Sequence, residues 1–550
     1  MRNSSAQLMA AERPKLRAPQ AGDSTQPLGD LFAPLDFLLA SGGDTRLRLN
    51  PADRLNGYGC SSSPRPQAFT FASTTATSIS ERAYMRAHRA RQTLIEASLI
   101  MGLEEAFDAR VEHMRCELKT YLELDASNAE IVFSPSGTDS QLHALFIARS
   151  LLGLRLVSII AAADETGSGT VLSTTGRHFN TCTMQGTTVE KGAPVEGMAE
   201  DATSIEIPSR DEKGRVRTVD EIDHAVMEAV ATAVGDGRYV LLHIMDRSKL
   251  GCRSPSQHCV RDICQRWPDV VQIVVDACQT RLGRARIAYY LDHGYMVLLT
   301  GSKFFTGAPF SGALLVPERL SMRLAIVSEV PFGLCDYTNR SDWPGRWQGI
   351  RSRLPARMNF GQWLRWEAAL AEIQGYFAVP PSFRLATLQK FSSTVCQLSA
   401  RSRLLELLPD QVPDPSDAID DEEMSVRTIW PFIIRREGKA LSPNACAKIY
   451  RALNRDVSSF LPPTATLRER QLAAQLCHVG QPVVLRDCDG GAIAALRISA
   501  GARIVSESWS PNEDVASENV RRELDQVATV LEKVEMLIPY LEAIDIAEPR

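Results

Sequence analysis

A β-branched apolar run that ends in an acid, followed one crossover later by an apolar run that ends in a lysine, limits this chain's fold more than any other feature. The first is Val274-Val275-Asp276-Ala277-Cys278-Gln279 and the second is Leu299-Thr300-Gly301-Ser302-Lys303-Phe304-Phe305. Asp276 and Lys303 are 27 positions apart. That length fits a helical crossover between neighbouring strands of an α/β sheet. An acid and a lysine presented at adjacent strand ends, with small hydroxyl residues before the lysine, can serve chemistry in a crevice above the sheet.

Such a set is what pyridoxal 5'-phosphate needs: an amine for a Schiff base, an acid for the ring nitrogen and hydroxyls for the phosphate. The two stretches resemble fold-type I pyridoxal-phosphate enzymes of the class V aminotransferase and cysteine desulfurase kind. That family reads Asp-Ala-x-Gln and then Ser-x-x-Lys or Thr-x-x-Lys, and Asp276, Gln279, Thr300 and Lys303 fall on those positions. The resemblance implies that Gln279 bonds the cofactor's phenolic oxygen. It also implies a histidine just before the lysine, where this chain has Ser302. A buried strand with a surface lysine is the plainer alternative, and four matches in register speak against it.

Val132-Phe133-Ser134-Pro135-Ser136-Gly137-Thr138-Asp139 adds a strand end, a tight turn and a helix start. Free N–H groups at such a start, beside hydroxyls, make an anion site. Glycine lets the backbone come close to the anion. By resemblance Ser136, Gly137 and Thr138 form the phosphate cup. A plain helix cap is the competing reading.

A third anchor is Ala495-Leu496-Arg497-Ile498-Ser499. Arginine can fork a carboxylate with two parallel bonds, and the resemblance gives Arg497 the substrate α-carboxylate. Asn56, Tyr58 and His178 are further candidates for lining a substrate site. Asp246 and Ser248 follow another predicted strand and are weaker candidates for hydrogen bonding to the site. The strand end at Ala163–Gly169 lacks the ring-stacking histidine of relatives, which leaves Thr166 or another segment for that task. Cys477 is the candidate for a desulfurase nucleophile, set against a buried structural thiol.

The predicted fold class is α/β, with a mainly parallel, seven-stranded type of sheet covered by helices on both faces, plus a smaller α+β C-terminal domain. Predicted strands are Glu130–Phe133, Arg155–Ile160, Tyr239–Ile244, Val270–Val275, Met296–Thr300 and Gly312–Val316, with Thr428–Arg435 and Ala494–Ile498 later. Ser78 to Glu81 reads as a capping box for a long helix to about Glu123. Ser442-Pro443 reads as a helix start. The expected organisation is a flexible tail (1–30), an N-terminal arm (31–68), a large cofactor domain (69–400) with an insertion near 321–400, an acidic linker (401–424) and a small C-terminal domain (425–550).

With 550 residues, 44% apolar and 23% charged, the composition is that of a globular enzyme. A net charge of −5 gives no electrostatic case for nucleic acid. No apolar run approaches the roughly 20 residues of a membrane span. The 12 cysteines lack paired spacing, which fits reduced thiols in the cytoplasm. Cys252, Cys259, Cys264 and His258 lack the spacing of a metal knuckle, so no metal is expected.

The function these readings imply is a pyridoxal-phosphate enzyme acting on an amino acid through Lys303. An aminotransferase comes first, a β-elimination lyase or cysteine desulfurase second, and a non-catalytic interaction protein on the same scaffold third. The resemblance also implies a homodimer.

Overall fold

The computed structural model describes residues 26–410, 414, 416–417, 419, 421–486 and 491–544. Its strands, in chain order, are β1 (Ala68–Phe71), β2 (Glu130–Ser134), β3 (Leu156–Ala161), β4 (Ala202–Ile207), β5 (Tyr239–Asp246), β6 (Arg253–Ser254), β7 (Val271–Asp276), β8 (Met296–Thr300), β9 (Gly312–Val316), β10 (Leu405–Leu407), β11 (Ile429–Arg436), β12 (Lys439–Ala440), β13 (Leu476–Arg486) and β14 (Ala492–Ser499).

The large sheet runs β2-β9-β8-β7-β5-β3-β4, with the short β6 attached to β5. Only β9 is antiparallel along the main path, lying against both β2 and β8. β2, β3, β8 and β9 are buried along their whole length, as befits a sheet covered on both faces. Alternate residues feed two cores: Ile131, Phe133, Ile273 and Val275 face one, and Val132 and Val274 the other. The expected α/β architecture is therefore present, and the six predicted strands are found to within two residues. β4 was not anticipated. It is a half-exposed edge strand whose Ala-Thr-Ser-Ile-Glu-Ile sequence carries little apolar signal.

The long helix expected from Ser78 is two helices, Glu81–Met101 and Leu103–Tyr121. Ser80 is the N-cap, accepting from the Ala83 N–H, while Ser78 Oγ accepts from the Ser61 N–H. Gly102, at φ +88°, turns the chain between them. The expected tail reaches into ordered structure: Gln26–Leu31 is helical and Leu31 is buried, while residues 1–25 lie outside the described residues.

The 321–400 region, expected as an insertion, is built into the core. Trp343, Trp347, Trp363 and Trp366 are fully buried. Trp366 Nε1 donates to the Gly312 carbonyl at 3.0 Å, tying the helix Phe360–Phe377 to β9. Glu367 on the same helix is fully buried and accepts from Arg110 Nε at 2.6 Å, Arg86 Nε at 3.1 Å and Trp363 Nε1 at 3.1 Å. A buried carboxylate needs such partners.

The second sheet runs β1-β13-β14-β11-β10, with β12 attached to β11. Two of its strands fall outside the expected boundaries. β1 lies parallel to β13, so residues 68–71 join the C-terminal sheet. β10 lies inside the expected 401–424 linker and pairs with β11. Part of that linker lies outside the described residues. Asp417 within it accepts from Arg286 at 2.7 and 3.1 Å.

The helix Glu513–Leu537 covers this sheet and carries a fully buried lysine. Lys533 Nζ donates to the carbonyls of Leu453 at 3.0 Å, Arg455 at 3.0 Å and Ala473 at 3.3 Å, and also to that of Gln475. These carbonyls lie at or just beyond the ends of the helices Pro443–Leu453 and Leu467–Ala474, where unpaired carbonyls favour a cation. Lys533→Met should leave them without a donor and lower the unfolding free energy by at least about 2 kcal/mol. A urea midpoint equal to that of the native chain would contradict this.

Candidate functional site

The carboxyl ends of β5, β7 and β8 open into a cavity of about 490 Å³ that the second sheet closes from the other side. Asp276, the last residue of β7, lies in its wall and is 8% exposed. Three donors fix its carboxylate: Gln141 Nε2 at 3.0 Å, Thr166 Oγ1 at 3.1 Å and the Cys278 N–H at 3.2 Å. Thr166, whose sequence neighbourhood left its role open, is thus a partner of Asp276. On β5, burial pushes the His243 imidazole down to about 4 against the pull of Asp276, so it is neutral at pH 7.

The loops after β7 and β8 are laced together. Thr300 Oγ1 donates to the Cys278 carbonyl at 2.7 Å, and Thr280 Oγ1 donates to the Thr300 carbonyl at 2.9 Å. Ser302 and Lys303 follow in the cavity wall. Among the described residues the Lys303 amine has no hydrogen bond or ion pair. Gln279 spans the gap to the second sheet: its Nε2 donates to the Thr74 carbonyl at 3.0 Å and its Oε1 accepts from Arg281 at 2.8 Å.

The turn at Ser136-Gly137-Thr138 opens the helix Gly137–Leu152. A Cβ on Gly137 would meet Cys278 Sγ at 2.6 Å, so the backbone must be bare there. Arg46, from the N-terminal arm, reaches this turn. Its Nη2 donates to Ser136 Oγ at 3.0 Å and its Nη1 to Thr138 Oγ1 at 3.3 Å, while Asp44 pairs with it at 2.6 Å. Its guanidinium stands 4.8 Å from the centre of the Phe310 ring. A helix start, two hydroxyls and a guanidinium together can hold an oxyanion. The sequence reading missed Arg46, since nothing local marks it. Asp139, one turn into the helix, receives the Ser136 hydroxyl. Burial and then the charge of Asp44 push its carboxyl up to about 7, against the pull of Ser136 and Arg46.

Arg497, on β14, is 2% exposed and lines the opposite wall. Its partners are neutral oxygens: the Gln481 carbonyl at 2.8 and 3.0 Å, Thr75 Oγ1 at 2.9 Å and the Lys249 carbonyl at 3.4 Å. Burial pushes its guanidinium down to about 10, which still leaves it charged. Glu165, 4% exposed, also lies in the wall, its carboxyl pushed up by burial and held by Ser248 and Ser209.

Other candidates stand elsewhere. Tyr58 lines the cavity, edge-on to Phe310 with ring centres 5.4 Å apart. Asn56 does not line it. Its Oδ1 accepts from the Tyr58 N–H at 2.9 Å and the Cys60 N–H at 3.1 Å, shaping the arm that presents Tyr58. His178 is also outside the wall, with Nδ1 2.6 Å from the Tyr337 hydroxyl. Asp246 is consumed by Arg253 at 2.8 Å and the Tyr290 hydroxyl at 2.9 Å. Cys477 is fully buried on β13, away from the cavity, and burial pushes its thiol up to about 11. Among the described residues no group of three or more His, Cys, Asp or Glu side chains could hold a metal ion, and no helix is long and apolar enough to cross a membrane.

No family model matches the sequence, and no curated protein matches it either. Among solved structures the chain is similar to a NifS-like protein, at 13% identity and a TM-score of 0.45 over 84% of this chain and 99% of the other. It is similar to the cysteine desulfurase CsdA from Escherichia coli, at 12% identity and a TM-score of 0.46 over 85% of this chain and 95% of the other. It is also similar to the cystine C-S lyase C-DES, solved with its product cysteine persulfide, at 13% identity and a TM-score of 0.48 over 84% and 98%. At such identity the likeness is one of backbone, and the chemistry open to this chain is decided by its own cavity.

Asp139 makes the oxyanion turn pH-sensitive. Above pH 7 its carboxylate adds negative charge beside the turn, and below pH 7 it is neutral. Sulfate, which does not titrate in this range, should therefore bind more tightly at pH 6 than at pH 8, by about threefold or more. Asp139→Asn should flatten that dependence. Calorimetric titration with sulfate at the two pH values checks it, and equal affinities in the native chain would contradict it.

Proposed function

We propose that this chain is a pyridoxal-phosphate enzyme that acts on an amino acid, most simply as an aminotransferase. The observation that carries the reading is the content of one cavity. Among the described residues it gathers a lysine with no partner, a carboxylate held by three donors, an oxyanion turn reinforced by Arg46, and a buried arginine with no acid partner. The residues fit the cofactor in a further respect: Thr74 Oγ1 is buried at the cavity wall without a hydrogen-bond partner among the described residues.

In this reading Ser136, Gly137, Thr138 and Arg46 hold the phosphate, with Thr300 and Ser302 on the neighbouring wall. Asp276 holds a proton on the ring nitrogen, and its own three donors keep its carboxylate oriented for that bond. Gln279 keeps one amide hydrogen free of Thr74 for the phenolic oxygen. Pyridoxal phosphate, when bound, supplies an electron sink for the charge left at the amino acid's α-carbon. Arg497 holds the substrate's α-carboxylate and so sets which bond at that carbon faces Lys303. The Lys303 amine then takes the α-proton and returns one, as general base and acid. Tyr58 and Phe310 shield the cavity from water on the arm side.

Transamination needs no further nucleophile, and Cys477, the sequence candidate for attack on sulfur, is buried on β13 and is not among the residues that line the cavity. A desulfurase reading would need another thiol, whereas a β-eliminating C–S lyase would need none and would use the same proton transfer by Lys303. Cys278 lines the cavity, but burial pushes its thiol well above the ordinary range, which suits it poorly for attack. A homodimer belongs to the same reading, and light scattering tests it directly.

Protein isolated with the cofactor should be yellow, and borohydride should fix the cofactor to Lys303, as read by peptide mass spectrometry. Attachment to any other lysine would remove Lys303 from its role. Asp276→Asn should keep the cofactor and lose at least about a hundredfold in turnover, or roughly 2.7 kcal/mol of barrier. A change within about threefold would take Asp276 out of the mechanism.

Cys477→Ser should leave turnover within about threefold of native, with a keto acid formed and the amino group passed to a second keto acid. Release of sulfide from cysteine that disappears with Cys477→Ser would overturn transamination in favour of desulfuration.

A further inference from the structure

The turn after β5 carries a cation that the chemistry above does not use. Lys249 lines the cavity, and its turn is built rigidly. Ser248 Oγ accepts from the N–H groups of Cys252 at 2.8 Å and Leu250 at 3.1 Å, and the Ser248 N–H donates to the Cys252 carbonyl at 2.8 Å. Arg247 and Gly251 flank it with φ of 65° and 99°. The turn is seated on both sides of the cavity, since the Lys249 carbonyl accepts from Arg497 and its N–H donates to the Glu165 carbonyl, each at 3.4 Å. Lys249 therefore stands beside Arg497, at the end of the cavity where an amino acid's carboxylate would lie.

Among the described residues the Lys249 ammonium has no hydrogen bond or ion pair. The acids that draw it, Glu165 and Asp164, are engaged elsewhere. Glu165 is held by Ser248, by Ser209 at 3.0 Å and by Arg210 at 3.8 Å. Asp164 accepts from the Ser209 N–H at 2.7 Å and its hydroxyl at 2.9 Å. Burial, and then Arg497 and Lys303, push the ammonium down to about 8, so it remains mostly charged at pH 7. The other cations of the cavity have tasks. Arg46 pairs with Asp44, Arg247 donates to the Met424 carbonyl at 2.7 Å, and Arg497 suits one carboxylate. A substrate with a single carboxylate would leave Lys249 uncompensated in a half-buried place.

We infer that the site takes amino acids with a second acidic group, Arg497 holding the α-carboxylate and Lys249 the side-chain acid. The inference deepens the proposed function and rests on its placing of Arg497. It makes Lys249 a specificity residue, separating acidic amino acids from neutral ones of similar length.

Carboxylic acids without an amino group test this by binding alone. Succinate and glutarate should bind the holoenzyme at least tenfold more tightly than propionate and butyrate in calorimetric titration at pH 7. Lys249→Met should erase that ratio while monocarboxylate affinity stays within about twofold, and Lys249→Arg should retain the ratio, which guards against a folding defect. Arg497→Lys should weaken all four acids. A ratio near one in the native enzyme, or one that survives Lys249→Met, would overturn the inference. If borohydride fixes the cofactor to Lys303 and the ratio is one, only this inference falls. If fixation fails and the ratio stands, the proposed chemistry falls and the cavity's preference for diacids remains.

Discussion

One buried guanidinium holds the two sheets in the register the cavity requires. Arg281 is 1% exposed and has no acid partner among the described residues. It donates to the Gln279 side chain at 2.8 Å and the Gln279 carbonyl at 3.2 Å on the loop after β7. It reaches Ser73 Oγ at 2.8 Å beyond β1, and Thr428 Oγ1 at 3.0 Å and the Ala500 carbonyl at 3.2 Å at the ends of β11 and β14. Burial, with Arg247 and Arg497 nearby, pushes it down to about 9, so the fold bears a real desolvation cost to keep a cation there. Five directed bonds offset that cost, and no apolar residue could point at so many segments. Because Gln279 is one of its partners, the same bonds that join the sheets also aim a cavity side chain.

The cavity follows a common logic. Groups that must be charged are clamped by neutral donors or acceptors, which leaves their charge for a ligand. Asp276 is held by an amide, a hydroxyl and an N–H, and Arg497 by carbonyls and a hydroxyl. The oxyanion turn differs, because Arg46 is shared between Asp44 and the hydroxyls and Asp139 waits behind them. A ligand there competes with resident carboxylates.

Much of this was legible where chemistry is written into short, contiguous stretches. Asp276, Gln279, Thr300 and Lys303 declare themselves by residue type at strand ends, and all four line one cavity. Ser136-Gly137-Thr138 could be read from a strand end running into a helix start. What escaped depends on contacts far apart in sequence. Asp44-Thr45-Arg46 matches no motif, and only the fold brings it to residue 136. β13 was hidden because Gly480 and Pro482 break its apolar pattern at a bulge, where register shifts between Gly480 and Val483. The segment 321–400 read as an insertion because its helix Phe360–Phe377 packs on residues introduced hundreds of positions earlier, Trp363 against Phe107 and Trp366 against Phe133. Asn56 and His178 had the right residue types, but turn formation and a tyrosine contact claimed them.

The pairing of β1 with β13 joins Ala68 to Leu476. During synthesis, the segment that supplies Thr74 and Thr75 to the cavity must wait for its strand partner until nearly the whole chain has left the ribosome. Closing a loop on the order of 400 residues adds only slowly growing entropy to the final state, but contacts this distant form late. The large sheet, whose strands all lie between residues 130 and 316, can assemble while the wall opposite it is still missing. A chain cut short before β13 would thus keep Asp276, Lys303 and the oxyanion turn, yet leave them facing open solvent.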